Sequence, residues 1–494
     1  MSNRVGDRAV VLGGSMAGLL AARVLSEAYG EVIIVDRDEL TDVSSTRRGC
    51  PQGFHAHALL ARGQQVFDEL FPGMTGEFAA AGMPMFDMGE MRWSVNGVPF
   101  APAKTGLIVV SITRPAFELL VRRRVAAISN VKFYERTVIT GLETDPGHRR
   151  VTGVRIGRLA QGSSPDHGPA NGAESNVVQV ADEPQPQPVS PGGAQADELL
   201  LADLVVDATG RGSRTPVWLE EFGYERPAEE RVKIGLAYST CEFVLPARPL
   251  GVEDWSIVPL ANPFSPRGAF FGRTKDDRHM LSLTSMLGDP PPTTAEGVLE
   301  VAKALPIPHI YNAIRDTEPV AGPEVIKFPA SVRRRYERLT RFPAGFLVFG
   351  DGMCSFNPVY GQGMTVASLE ALALRERLRT GAPPDALGFF GDISKVIDGP
   401  WAIAAGGDLA WPGVEGERTE AGEEMNAYMG RLMYAATKDG AVTGAFMRVA
   451  GLIDPPEALM EESLYLRVMR ESADMPNIAP PPPKQNLVAD PAAH

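Results

Sequence analysis

The residues best placed to do chemistry begin near the start of the chain. Gly13, Gly14, Ser15, Met16, Ala17 and Gly18 follow an apolar, β-branched stretch at 8–12 and lead into residues 16–25, whose apolar positions have helical spacing. A second apolar run at 31–35 ends in Asp36. A strand, a glycine turn, a helix and a strand closed by an acid suit the pyrophosphate of a dinucleotide. Gly13 permits the tight turn, Gly18 lets the helix approach the sheet, and free N–H groups at the positive helix end face the anion. Asp36 would accept a hydrogen bond from the adenosine ribose. Ser15 departs from the usual pattern, because the middle position is normally a glycine that lets phosphate reach the backbone; serine is small enough to be tolerated there. This run serves NAD and FAD equally.

A second constellation lies in the other half of the chain. The apolar run 345–349 ends in Gly350-Asp351, and Asn357-Pro358-Val359-Tyr360-Gly361-Gln362-Gly363-Met364 leads into a helical pattern at 365–378. The Asp351 carboxylate can hydrogen-bond a ribityl chain. The turn of Gly361, Gln362, Gly363 and Met364 presents N–H groups at a helix start, where they can stabilise negative charge on the N1 and C2-oxygen edge of a reduced flavin. Paired with the first turn, this is a flavin signature and selects FAD.

With these motifs, the block Asp203-Leu204-Val205-Val206-Asp207-Ala208-Thr209-Gly210-Arg211-Gly212-Ser213, and Arg114 opening a helix through Pro115, the chain resembles the FAD-dependent monooxygenases of the para-hydroxybenzoate hydroxylase and squalene epoxidase superfamily over nearly its whole length. Residues 47–57, 356–364 and 401–412 look most like bacterial epoxidases that act on polyene precursors of polyether antibiotics, which points to secondary metabolism. The resemblance implies insertion of one oxygen atom from O2 into a small apolar or aromatic substrate through a flavin C4a-hydroperoxide, by epoxidation or hydroxylation. Electrons would come from NAD(P)H, directly or through a separate flavin reductase, since no second dinucleotide fingerprint is present. The resemblance adds Arg37, Arg48, Arg114 and Val138 to the cofactor contacts. No obligatory side-chain nucleophile is implied; His57 and Pro358 would line the active site. In the pair Arg47 and Arg48, contact with the FAD phosphates or ribityl competes with a solvated loop charge. His55 and His57, taken as an alternate pair at a helix start, could cap, pack or line the site. Trp401, Asp408 and Trp411 could roof a substrate cavity or simply pack.

Rival readings are an FAD-dependent reductase or halogenase of the same fold, or a non-catalytic flavin-binding redox protein. The halogenase signature Trp-x-Trp-x-Ile-Pro is not matched: residues 254–259 keep one tryptophan and displace the proline. There is no Gly-x-Ser-x-Gly elbow, His-Glu-x-x-His or P-loop.

These residues must be positioned by an α/β chain, α+β overall: a Rossmann-like FAD-binding domain interleaved with a β-sheet substrate domain, plus C-terminal helices. The 494 residues divide into FAD-binding segments at 1–82, 113–225 and 331–385, substrate-domain segments at 83–112 and 226–330, a helical region at 386–475 and a disordered proline-rich tail at 476–494. Residues 158–198, rich in Pro, Gly, Ser, Asn and Gln, read as a flexible loop between paired strands at 151–156 and 199–206. Met85, Phe86, Met88, Met91 and Trp93 precede a hairpin-like stretch at 95–112. A net charge of -13 argues against nucleic acid or an anionic membrane surface as partner. Cys50, Cys241 and Cys354 stand apart without metal-ligand spacing, so no metal site and no disulfide frame are expected. No export signal is visible, and no apolar run reaches the roughly 18 to 20 residues of a membrane helix, so the expected location is the cytoplasm.

Overall fold

The computed structural model describes residues 4–159, 177–179, 198–246, 256–275 and 277–476. The strands Gly6–Leu12 and Tyr29–Val35 flank the helix Met16–Leu25, and both strands are buried over their last four residues. Such continuous apolar runs are what a parallel sheet covered on both faces requires. The sheet has five parallel strands in the order Phe346–Val348, Leu204–Asp207, Gly6–Leu12, Tyr29–Val35, Val131–Tyr134. The two chemical motifs thus end neighbouring parts of one sheet although most of the chain separates them. One face packs on the helices Met16–Leu25, Arg114–Ala126 and Gly363–Leu378. The other packs on a three-stranded antiparallel sheet of Thr137–Thr144, Val151–Arg158 and Glu198–Leu201, through Leu142, Val154 and Ile156, joined by Trp218 of the helix Thr215–Glu221.

A second sheet of eight strands runs in the order Val177–Gln179, Ala321–Phe328, Leu236–Val244, Arg278–Ser285, Arg267–Lys275, Ser256–Pro259, Met91–Val95, Val98–Pro99. Its period-two alternation divides two environments. Cys241, Phe243, Phe271, Leu281 and Leu283 face the short helices Ala295–Ala304 and His309–Ile314. Tyr238, Phe270, Ser282 and Thr284 line a large cavity on the other face. The helices Glu420–Ala436 and Gly440–Ala450 close that cavity by packing Leu432, Val442 and Met447 against Met88, Met91 and Phe100.

Several expectations change. The hairpin is Met91–Val95 with Val98–Pro99, not 95–112, because Ile108–Thr113 pairs instead with Ala56–Leu59 and Met85–Asp87 in a separate small sheet. That sheet joins strands from both sides of the expected boundary at 82. Within the expected loop 158–198, residues Val177–Gln179 form a strand parallel to Ala321–Phe328. The rest of that loop from 160, and the tail from 477, lie outside the described residues.

Candidate functional site

Both glycine turns open into one cavity of about 2810 Å³. Of the residues expected from sequence, Gly13, Ser15, Met16, Ala17, Asp36, Arg37, Arg48, His57, Arg114, Val138, Asp351, Pro358, Gly361, Gln362, Gly363 and Met364 all line it. Gly14 and Gly18 do not, and each has a structural task. The Gly14 N–H donates to Asp36 Oδ2 at 2.6 Å, tying the turn to the end of the second strand. A Cβ on Gly18 would lie 1.8 Å from the Gly13 carbonyl oxygen, so only glycine lets the helix start this close to the turn. Gly13 itself has φ +100°.

The two arginines at 47 and 48 divide. Arg48 is exposed and lines the cavity, whereas Arg47 is buried in an ionic web. Its guanidinium meets Glu118 at 2.8 Å and Asp38 at 3.1 Å, and donates to Ser15 Oγ at 2.9 Å. This last bond holds the Ser15 hydroxyl and accounts for a serine at the middle position of the turn. Glu118 also pairs with Arg114 at 2.8 Å and Arg122 at 3.4 Å. Burial opposes ionisation of Glu118, but Arg114 and Arg47 outweigh it and lower its pKa to about 2. Arg114, which reaches the cavity wall, is thereby held charged. The i, i+4, i+8 spacing of Arg114, Glu118 and Arg122 was a legible signal for half of this web; the reach to Arg47 was not.

At the other turn, Gly350 has φ +67° and its N–H donates to Glu370 at 2.7 Å. Burial raises the Glu370 carboxyl to about 8. Asp351 has accessible surface on the cavity yet sits deep within protein, which raises its pKa against the pull of Arg114, Arg211 and Arg334. Gly361 takes the left-handed conformation, φ +67°, that ends the short 3-10 helix Pro358–Tyr360 and aims the helix Gly363–Leu378. The loop ahead of it is clamped from the C-terminal helix Ala386–Leu409. Asn357 Nδ2 donates to Asp408 at 2.8 and 3.1 Å, and Tyr360 OH donates to it at 3.2 Å. Burial raises Asp408 to about 7. Trp401, Asp408 and Trp411 all line the cavity, and Trp411 is also packed among Tyr238, Ala405 and Val414.

The pair His55 and His57 is not at a helix start. His55 ends the 3-10 helix Pro51–Phe54, and His57 lies on the strand Ala56–Leu59. Both line the cavity, and burial lowers their pKa values to about 3 and about 4.

The residues present fit a flavin dinucleotide on three counts. A Cβ on Gly363 would meet nothing within 4 Å, leaving open space at the helix start. The Gln362 Oε1 beside it is buried without a hydrogen-bond partner. The cavity also collects the donors such a ligand requires: two helix starts, Arg48 and Arg114.

The fold is the FAD-binding, Rossmann-type fold of flavoenzymes. Solved structures that share it include the flavin-dependent brominase Bmp2 (12% identity, TM-score 0.61, covering 95% of this chain and 99% of that one). Others are a flavoprotein/dehydrogenase from Cytophaga hutchinsonii (13%, 0.63, 95% and 98%) and PqsL, a probable FAD-dependent monooxygenase from Pseudomonas aeruginosa (16%, 0.51, 89% and 99%). The chain belongs to the same family as Protein Rv3254 of Mycobacterium tuberculosis, with 36% identity over 389 residues, 77% of this chain and 75% of that protein. No family model matches.

Proposed function

We propose that this protein is an FAD-dependent monooxygenase that inserts one oxygen atom from O2 into an apolar or aromatic organic substrate. The observation that carries the reading is that the two distant glycine turns line one cavity. Gly13, Ser15, Met16, Ala17, Asp36, Arg37, Arg48 and Val138 would hold the adenosine diphosphate half, and Arg114, Asp351 and the Gly361–Met364 turn the flavin half. Bound there, FAD supplies the redox chemistry, taking electrons from NAD(P)H and activating oxygen. The chain's own part is to bind, orient and exclude water. The N–H groups at the start of Gly363–Leu378 offer positive potential to the reduced ring. The apolar wall of Met88, Met91, Trp93, Phe270 and Phe446 provides a dry space for substrate. His57 and Pro358 lie on that same cavity, and no protein nucleophile is required.

The cavity exceeds the roughly 300–1,000 Å³ of ordinary ligand sites, leaving room beside the cofactor for a large substrate. This favours the polyene epoxidase resemblance over hydroxylation of a small phenol. Fold relatives include a brominase, but at that identity they speak only to fold, and the tryptophan signature of halogenases is missing. No helix among the described residues is long and apolar enough to cross a membrane. Cys50, Cys241 and Cys354 are buried thiols.

The test is to purify the protein, identify bound flavin by absorbance and mass, and follow NAD(P)H oxidation with and without a flavin reductase against polyenes and phenols. Oxygen-dependent turnover with products heavier by one oxygen atom supports the assignment. Bound FAD without substrate-dependent turnover would favour the redox-protein reading, and halide incorporation would favour the halogenase.

A further inference from the structure

His55 stands where the flavin-side loop meets the eight-stranded sheet. Its Nδ1 lies 2.7 Å from Thr240 Oγ1, and Thr240 Oγ1 lies 2.7 Å from Ser282 Oγ. Ser282 Oγ in turn accepts the Ala56 N–H at 3.2 Å. All three side chains are at least nine-tenths buried: His55 is 7% exposed, Thr240 0% and Ser282 3%.

The two 2.7 Å contacts allow two directions for the protons in this chain. In one, the Ser282 hydroxyl, its oxygen accepting from Ala56, donates to Thr240, the Thr240 hydroxyl donates to His55 Nδ1, and the neutral imidazole presents Nε2–H to the cavity. In the other, His55 Nδ1–H donates to Thr240, Thr240 donates to Ser282, and the Ser282 hydroxyl faces the cavity beside a bare Nε2 acceptor. His57 allows only one direction. Its Nδ1 lies 2.8 Å from the His55 carbonyl oxygen, which can only accept, so Nδ1 is the donor and Nε2 the acceptor. The outer nitrogen of His55 is not among the buried polar atoms that lack a partner, and His55 lines the cavity. Around it stand the rings of Phe54 and Tyr238, at 6.3 and 5.9 Å.

We propose that the first direction holds and that His55 is a substrate-binding residue: the Thr240–Ser282 relay fixes it as an Nε2–H donor that recognises a neutral oxygen, a carbonyl above all, on an otherwise apolar substrate. The proposal rests on the reading that this cavity holds the substrate. A ketone or ester oxygen fits a neutral donor among aromatic rings, whereas a carboxylate would have to draw on Arg114, which is already paired with Glu118.

Two measurements on the full-length protein test it, and neither depends on flavin turnover. With only seven histidines, selective 15N-histidine labelling gives a sparse NMR spectrum, and His55→Gln identifies the His55 signals. The expected spectrum has His55 protonated on Nε2 and His57 on Nδ1, with Thr240→Val releasing the His55 preference and Thr240→Ser restoring it. In parallel, calorimetry compares 4-phenylbutan-2-one with butylbenzene. The ketone should bind about two- to tenfold tighter, the difference vanishing in Thr240→Val and returning in Thr240→Ser. A His55 protonated on Nδ1, or a ketone advantage that is absent or survives Thr240→Val, overturns the proposal. If the protein fails to take up FAD, both readouts still stand, so failure of the flavin assignment and failure of this site are distinguishable.

Discussion

Replacing Glu118 by glutamine should weaken the fold and the cofactor site together. The carboxylate is 3% exposed and pairs with Arg47, Arg114 and Arg122, which are 4%, 10% and 4% exposed. Neutralising it leaves buried cations short of their counter-charge, a change that costs roughly 3–5 kcal/mol in comparable sites. The pKa gives an independent figure. A fall from 4.5 to about 2 spans about 2.5 units, or roughly 3 kcal/mol at ~1.36 kcal/mol per unit. Because the folded pKa is depressed, this stabilisation is fully present above about pH 4.5 and is lost as pH falls toward about 2. Urea unfolding of the apoprotein near neutral pH should therefore show Glu118→Gln less stable by about 3 kcal/mol, with the gap closing on acidification. FAD titration should show weaker binding, since Arg114 and the Ser15 hydroxyl both lose their fixed orientation. Equal stability near neutral pH, or parallel acid profiles for the two proteins, would show that Glu118 is not the counter-charge of these arginines.

Further predictions separate structural from ligand-contacting glycines. Gly18→Ala, whose Cβ would meet the Gly13 carbonyl oxygen at 1.8 Å, should displace the helix and abolish FAD uptake, seen as colourless purified protein. Gly363→Ala, whose Cβ would enter open space, should leave stability unchanged or raise it by up to about 1 kcal/mol, while weakening FAD binding in a fluorescence titration. Asp408 is 1% exposed with its pKa raised from 3.8 to about 7. A raised carboxyl contributes stability below about pH 4 that is lost as pH rises through about 7. Asp408→Asn should thus gain on wild type by about 4 kcal/mol between those limits, and a pH-independent difference in unfolding free energy would contradict the assignment.

The cofactor end was legible because it is built from local patterns. Residues 13–18 must turn tightly after a buried strand and Asp36 must end the next one, so spacing alone identified both. The same holds for Gly361 to Met364 at a helix start. The substrate end was less legible because its contacts are long-range: Thr240 and Ser282 come from strands far from His55, and nothing local in the sequence marks the threonine or serine that will orient a histidine. Asp408 was noticed as a possible roof residue, but its bonds to Asn357 and Tyr360 depend on how the C-terminal helix folds back. Arg47 was indistinguishable from Arg48 in sequence, since only the fold shows which of two adjacent side chains turns inward. The hairpin was misplaced because strands Met91–Val95 and Ile108–Thr113 follow one another closely in the chain but join different sheets.

The most direct measurement is a crystal structure of the protein grown with FAD. One FAD per chain is expected, its pyrophosphate beside Gly13, Ser15, Met16 and Ala17 and its isoalloxazine beside Gly361 to Met364. Density for the dinucleotide at only one of the two turns, or a cavity that takes up no flavin at saturating concentration, would contradict this arrangement.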